Sequence, residues 1–124
     1  MQLVHERPDF AYALRGADGA SARVNERTLQ ASFIVTPDAL VEDWPVRDAS
    51  VLAAADLEPL LALDPEVIVL GTGAHQAFPP PETLAACLTR GVGLEAMTNA
   101  AAARTFNVLA GEGRRVVAGF IIAA

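Results

Sequence analysis

Two short stretches of the 124-residue sequence have residue types and spacing suited to chemistry. The first is Gly71-Thr72-Gly73, which follows the apolar run Val67-Ile68-Val69-Leu70. Glycine at the C-terminal end of a strand lets a ligand approach the backbone, and α/β proteins favour that edge of a sheet for binding. The turn lacks the third glycine of a dinucleotide fingerprint and the Lys-Ser/Thr of a phosphate loop. A plain strand-to-loop turn is the competing reading. The second stretch holds Thr98, Asn99, Arg104, Thr105 and Asn107. Asn99 is placed to cap a helix whose first turn offers free N–H donors to an anion. Arg104 and Asn107, three apart, share one side of that helix. Gly71, Thr72, Gly73, Asn99, Arg104, Thr105 and Asn107 thus form a candidate pocket for a small anion or other small molecule. Simple capping by Asn99, with a surface ion pair from Arg104, is the alternative, and both stay open.

The other reactive types give less. His5 and His75 have no metal-spaced partner, and a zinc site needs three or four converging ligands. His75 lies two residues past Gly73, where it would be the base in an enzymatic reading. Cys87 shares a helical face with Leu84 and Leu88, which reads as a buried face with a small apolar thiol. Ser21, Ser32 and Ser50 sit in no nucleophile-elbow context. Glu112, Arg114 and Arg115 flank a turn, where either a geometry-fixing bidentate pair or a solvated cluster is expected. Trp44 before Pro45 reads as a core anchor. No catalytic residue, metal or cofactor is assigned on this inventory.

The elements that must carry these groups follow from periodicity. Phe10, Tyr12 and Leu14 alternate with small residues, Ser21 to Val24 makes a second strand, and Ala31 to Val35 a third, with Leu40 to Trp44 continuing the meander. Asp56 is expected to cap a short helix with Leu57, Leu60 and Leu61 on one face, ended by Asp64-Pro65. Val67 to Leu70 reads as a central buried strand. Pro79-Pro80-Pro81 opens a helix over Glu82 to Arg90 that stops at Gly91. Leu94 to Met97 is the next strand, Asn99 to about Gly111 a longer helix with Ala102, Phe106 and Leu109 facing inward, and Val116 to Ile122 the closing strand. A meander feeding a right-handed βαβ unit predicts an α+β domain with a mixed sheet.

Composition bounds the rest. Apolar residues make up 52% and charged residues 19%, so the sequence has the means to build a core. Nine basic residues, all arginine and in no run, face fifteen acidic ones, for a net charge of -6. That balance opposes nucleic acid as a partner, because phosphate binding needs clustered cations. The single cysteine excludes a disulfide framework. Charges at Glu6, Arg7 and Asp9 interrupt any signal-peptide core, and the run Val116 to Ala124 is less than half of the roughly 20 residues a spanning helix needs. No membrane insertion and a cytoplasmic location are expected, with residues 1–124 as a single domain.

Four motifs in order carry a family resemblance: Val67-Ile68-Val69-Leu70-Gly71-Thr72-Gly73, Gly93-Leu94-Glu95-Ala96-Met97, Ala102 to Leu109 (AARTFNVL), and Glu112-Gly113-Arg114-Arg115-Val116. With a Ser-Phe-Ile-Val strand and Trp44 in the first half, the sequence resembles the small family of the mitochondrial complex I assembly factor 3 and the adipogenesis-associated protein. The resemblance implies a three-layer α/β fold with a central mixed five-stranded sheet, the last strand antiparallel to its neighbours. It implies action through a protein partner, one relative serving respiratory complex I assembly, and no established enzymatic activity. This sequence departs from the family where Asp-Thr, Cys and Tyr are usual: it has Thr98-Asn99, Ala103 and Phe106. A thiol nucleophile or tyrosine acid at those positions is therefore absent. The expected function is a protein-binding factor assisting respiratory or membrane complex assembly, with a small-molecule site or enzyme at the Gly71–Gly73 turn and the Asn99–Asn107 helix as the alternative.

Overall fold

The computed structural model describes residues 10–123, so His5 and the charges near the N-terminus lie outside the described residues. The first three strands, β1 (Leu14–Ala17), β2 (Ala22–Val24) and β3 (Arg27–Leu29), form a small antiparallel sheet. A tight turn at Asn25-Glu26 joins β2 to β3, with Asn25 in the left-handed region at φ 52°. Five further strands build the main sheet: β4 (Phe33–Val35), β5 (Leu40–Val41), β6 (Val67–Gly71), β7 (Gly93–Met97) and β8 (Val116–Phe120). Their order is β5-β4-β8-β6-β7. The helices are α1 (Glu58–Leu61), α2 (Pro81–Thr89) and α3 (Asn99–Gly111), with two 3-10 turns at Ala49–Val51 and Ala54–Leu57.

The expected mixed five-stranded sheet is present, and so are the β meander and the βαβ unit, but three details differ. The meander divides: the segment expected as its third strand belongs to the main sheet, and the short β3 takes its place. The last strand is antiparallel only to β4, because it runs parallel to β6 on its other side. A strand lying between a hairpin-derived pair and a βαβ pair must match both directions. Asp56 does not open the helix as its cap. It sits inside the preceding 3-10 turn, where its carboxylate accepts from the Ala53 N–H at 2.9 Å.

Strand alternation decides the layers. Phe33, Val35, Val69, Val116, Ala118 and Phe120 pack with α3 and the small sheet on one face. Ile34, Ile68, Leu70, Val117 and Ile121 pack with Trp44, Leu57, Leu60, Leu61 and Cys87 on the other. Phe33 and Phe120 lie directly opposite in the β4–β8 ladder and stack at 5.0 Å between ring centroids. Leu57, Leu60 and Leu61 are buried together as their spacing requires. Leu88 is not: α2 buries Thr83 and Cys87, while Leu88 is 68% exposed, correcting the expectation that it shares the covered face. Burial pushes the Cys87 thiol above its ordinary pKa, as an unreactive packing residue requires.

Trp44 anchors the helical layer as expected. Its indole N–H donates to the Asp56 carbonyl at 3.0 Å, and its ring lies over Gly119 near the C-terminal end of β8. A Cβ at Gly119 would come within 2.7 Å of the Trp44 ring and 3.2 Å of Leu60. Gly119→Val is therefore expected to destabilise the protein by about 3 kcal/mol or more through overpacking, read by urea unfolding. An unchanged midpoint would show that the indole has room to move.

Candidate functional site

The Gly71-Thr72-Gly73 turn lies where the ends of β6, β7 and β8 meet the start of α3. Thr98, not Asn99, is the N-cap: its hydroxyl accepts from the Ala101 N–H at 3.3 Å. Asn99 occupies the first helical position and is fully buried. Its carboxamide oxygen accepts from the Gly73 N–H at 3.1 Å, and its amide donates to the carbonyls of Ile121 at 3.0 Å and Asp18 at 2.9 Å. The Asn99 N–H donates in turn to the Gly73 carbonyl at 2.8 Å. Gly73 adopts φ 108°, a conformation L side chains rarely take. Gly71 has no room for a Cβ, because Asn99 Oδ1 stands in its place.

Thr72 is equally engaged. Its hydroxyl donates to the His75 carbonyl at 2.7 Å and accepts from the Ala77 N–H at 3.1 Å, folding the loop back on itself. His75 is exposed and contributes its carbonyl to that loop. The Asp18–Ser21 turn closes the junction from the small sheet, its Asp18 carbonyl being the one that accepts from Asn99. Its carboxylate accepts from the N–H groups of Ala20 at 2.8 Å and Ser21 at 2.9 Å, which hold Asp18 below its ordinary pKa.

Arg104, Thr105 and Asn107 stand elsewhere. At about 100° per residue, Arg104 is turned well away from Asn99 around the helix. Arg104 and Asn107 line a hollow of about 300 Å³ between α3 and β1, with Arg15, Gly16 and Ala103. Asn107 spans the open edge of β1: its oxygen accepts from the Leu14 N–H at 2.9 Å and its amide donates to the Leu14 carbonyl at 2.7 Å. It thus does for β1 what a fourth strand would. Thr105 is half-buried on the same helix. The structure brings Asn99 to Gly71, Thr72 and Gly73, and brings Arg104 to Asn107, but the two groups do not share a cavity in the clefts described.

Several other polar groups are bonded within the fold or paired at the surface. Ser32, set aside as a nucleophile in the sequence reading, donates to the Val46 carbonyl at 2.5 Å and accepts from the Ile122 N–H at 2.9 Å. Thr83 donates to the Leu52 carbonyl at 2.6 Å. Among the described residues every buried side-chain nitrogen and oxygen has a partner. In the last turn Arg114 pairs with Glu66 and Arg115 reaches Asp64 at 3.9 Å, rather than Glu112. Glu66 accepts from the Arg115 backbone N–H at 2.9 Å and meets Arg114 at 3.4 Å, and these contacts lower its pKa, the backbone donor most. Among the described residues no group of three or more His, Cys, Asp and Glu side chains is arranged to hold a metal. No helix among them is long and apolar enough to cross a membrane.

Comparison with known proteins now bears on this arrangement. Residues 14–121 match the family described as a protein of unknown function, DUF498/DUF598. The chain belongs to this family. It is 32% identical over 114 residues to NADH dehydrogenase [ubiquinone] 1 alpha subcomplex assembly factor 3 of Danio rerio, covering 90% of this chain and 62% of that protein. It is 32% identical over 71 residues to the 13 kDa major membrane protein of Francisella tularensis, covering 57% of this chain and 58% of that one. These matches span about three-fifths of each relative's length. Among solved structures, a Xanthomonas campestris protein is 61% identical with TM-score 0.84, covering 98% of this chain and 92% of that one. A Mth938-like domain of Bordetella pertussis is 31% identical with TM-score 0.78, again covering 98% and 92%. The family expected from the four motifs is the one found.

Two outcomes test the junction. Asn99→Ala strands the Gly73 donor and two carbonyls in the interior and is expected to cost about 3 kcal/mol or more of unfolding free energy. Wild-type-like urea unfolding would mean that water replaces the carboxamide. Asp18 is more acidic folded than unfolded, so its contribution is complete above the unfolded carboxylate pKa and disappears as pH falls through the folded value. Asp18→Asn should therefore shrink the stability difference between pH 7 and acid, as measured by urea midpoints across that range.

Proposed function

We propose that this protein is a cytoplasmic, non-enzymatic binding factor that assists assembly of a respiratory or membrane complex by holding a protein partner. The observation that carries the reading is the similarity, over 114 residues, to a relative named as an assembly factor. The chemistry of the junction is in keeping with it. The hydrogen-bonding groups of the turn are taken up within the fold, Asn99 by Gly73, Asp18 and Ile121 and the Thr72 hydroxyl by His75 and Ala77, which is the work of a junction that holds the sheet to α3. A partner-binding protein needs a rigid scaffold and a surface, and this fold supplies both.

A second reading has one observation in its favour. Arg15 and Arg104 line the same hollow, and two guanidinium groups beside Asn107 fit a small anion. Arg15 is already engaged by Glu26 at 3.1 Å, so an anion there must compete with a carboxylate.

Deleting the gene in the source organism, with native gels of the membrane fraction and recovery of a tagged copy, tests the first reading. The expected result is a reduced level of one membrane-bound complex and a stoichiometric partner that is a subunit or assembly intermediate of it. Unchanged complexes together with no stoichiometric partner would overturn it. NMR titration with inorganic phosphate separates the second reading: shifts around Arg104, lost in Arg104→Ala, support the anion site, and a silent spectrum removes it.

A further inference from the structure

The hairpin of β4 and β5 comes apart beyond its last paired residues. Val35 pairs with Leu40 and Ile34 with Val41, and the next hydrogen-bonding position in that register is Ser32 with Asp43. Those two make no main-chain hydrogen bond. Instead the second arm leaves the sheet to lay the Trp44 ring over Gly119, and the arms meet again where the Ser32 hydroxyl reaches the Val46 carbonyl. Between the arms is a hollow of about 310 Å³, lined by residues 30–32, 42–47 and Ile122. The turn of the hairpin sets the direction of the main chain beside it. The Thr36 N–H donates across the hairpin to the Ala39 carbonyl, and alternate residues of a strand turn their main-chain groups to the same side. Ile34 and Ser32 therefore face the second arm, and the N–H and carbonyl of Ser32 point into the hollow. Ser32 is 4% exposed, and among the described residues neither its N–H nor its carbonyl has a hydrogen-bond partner. Buried main-chain groups are almost always paired, so this donor and acceptor are placed for a group from outside the chain.

We propose that this hollow takes an extended segment of the partner polypeptide, which adds a short strand beside residues 30–32 where β5 stops. The proposal rests on the partner-binding reading above and names how the partner is held. A donor and an acceptor on one residue at a sheet edge match the carbonyl and N–H of a second main chain, which is how strands are added to open edges. The molecule uses the same two-point match once already, where the Asn107 carboxamide binds both main-chain groups of Leu14. The walls choose the side chain. Trp44, Val46 and Ile122 are buried apolar residues that line the hollow, so the incoming strand fits with an apolar side chain against them. Charge narrows the occupant further. Asp43 and Arg47 both line the hollow, and Glu42 is held by Arg27, so acids and bases offset one another. Such a rim selects neither a phosphate or anionic headgroup nor a cation, and leaves the uncharged peptide main chain as the group recognised. The arm at residues 42–47 walls the slot on one side, which admits a loop or chain end and obstructs a strand still flanked by its own sheet.

The test uses the full chain, isotope-labelled, with a blocked pentapeptide of alternating valine and threonine as probe and one of alternating glycine and serine as control. The expected result is shift changes confined to Gln30, Ala31, Ser32, Trp44, Val46 and their neighbours. Hydrogen exchange of the Ser32 amide should slow at least about tenfold with the first peptide and not with the second. Ala31→Phe, at an exposed position on the rim, should fill the slot, retain the wild-type spectrum elsewhere and weaken binding at least about tenfold. A silent spectrum, shifts centred elsewhere, or unaltered Ser32 exchange would overturn the proposal, and these three readings need no variant. Acetamide binding as tightly as the peptide would assign the hollow to a small carboxamide and overturn it as well. So would a monomer–dimer equilibrium abolished by Ala31→Phe, which assigns the slot to a second copy. In the deletion strain, Ala31→Phe that restores assembly fully sinks this slot while leaving the assembly role standing. A deletion without any assembly defect sinks that role, and the Ser32 exchange alone then decides the slot.

Discussion

Asn99 has no access to solvent, so each polar atom of its carboxamide must find a partner inside the protein. The three it finds come from the loop just after β6, the residue after β8 and the turn between β1 and β2. Two neighbouring sequence choices follow from that one placement. Gly71 must lack a side chain because the carboxamide occupies the space, and Gly73 must accept a positive φ to turn its N–H toward the oxygen. Asn107, two turns along the same helix, repeats the device at lower burial by pairing with both backbone groups of Leu14. The helix thereby joins both sheets through side chains that imitate backbone.

What could be read from the sequence is what local pattern controls. The βαβ unit is legible because Val67 to Leu70 is a continuous apolar run, the prolines open α2 and Gly91 closes it. Strand pairing is not legible in the same way. Whether Phe33 to Val35 continues a meander or joins a larger sheet depends on its partner Val116 to Phe120, some eighty residues away. Asn99 shows the same limit at the site. An asparagine at the start of a helix is a good cap by local rules, and only the arrival of Gly73, Asp18 and Ile121 around it makes it a buried tie. Leu88 fails for the opposite reason: its type predicts burial, and nothing among the described residues covers it.

The candidate residues thus separate by what their polar atoms touch. Those of the Gly71–Gly73 junction are bound to the fold itself, and those of the α3–β1 hollow are partly so.

The position of β8 has a consequence for how the protein comes into being. It is the last strand along the chain and the middle strand of the sheet, so β4–β5 on one side and β6–β7 on the other have no ladder in common without it. Until residues 116–120 are in place the two halves share no ladder, and the main sheet cannot close. Closure then joins segments more than eighty residues apart in one step, which places the entropic cost of loop closure late in folding. Completion of the main sheet therefore waits on β8.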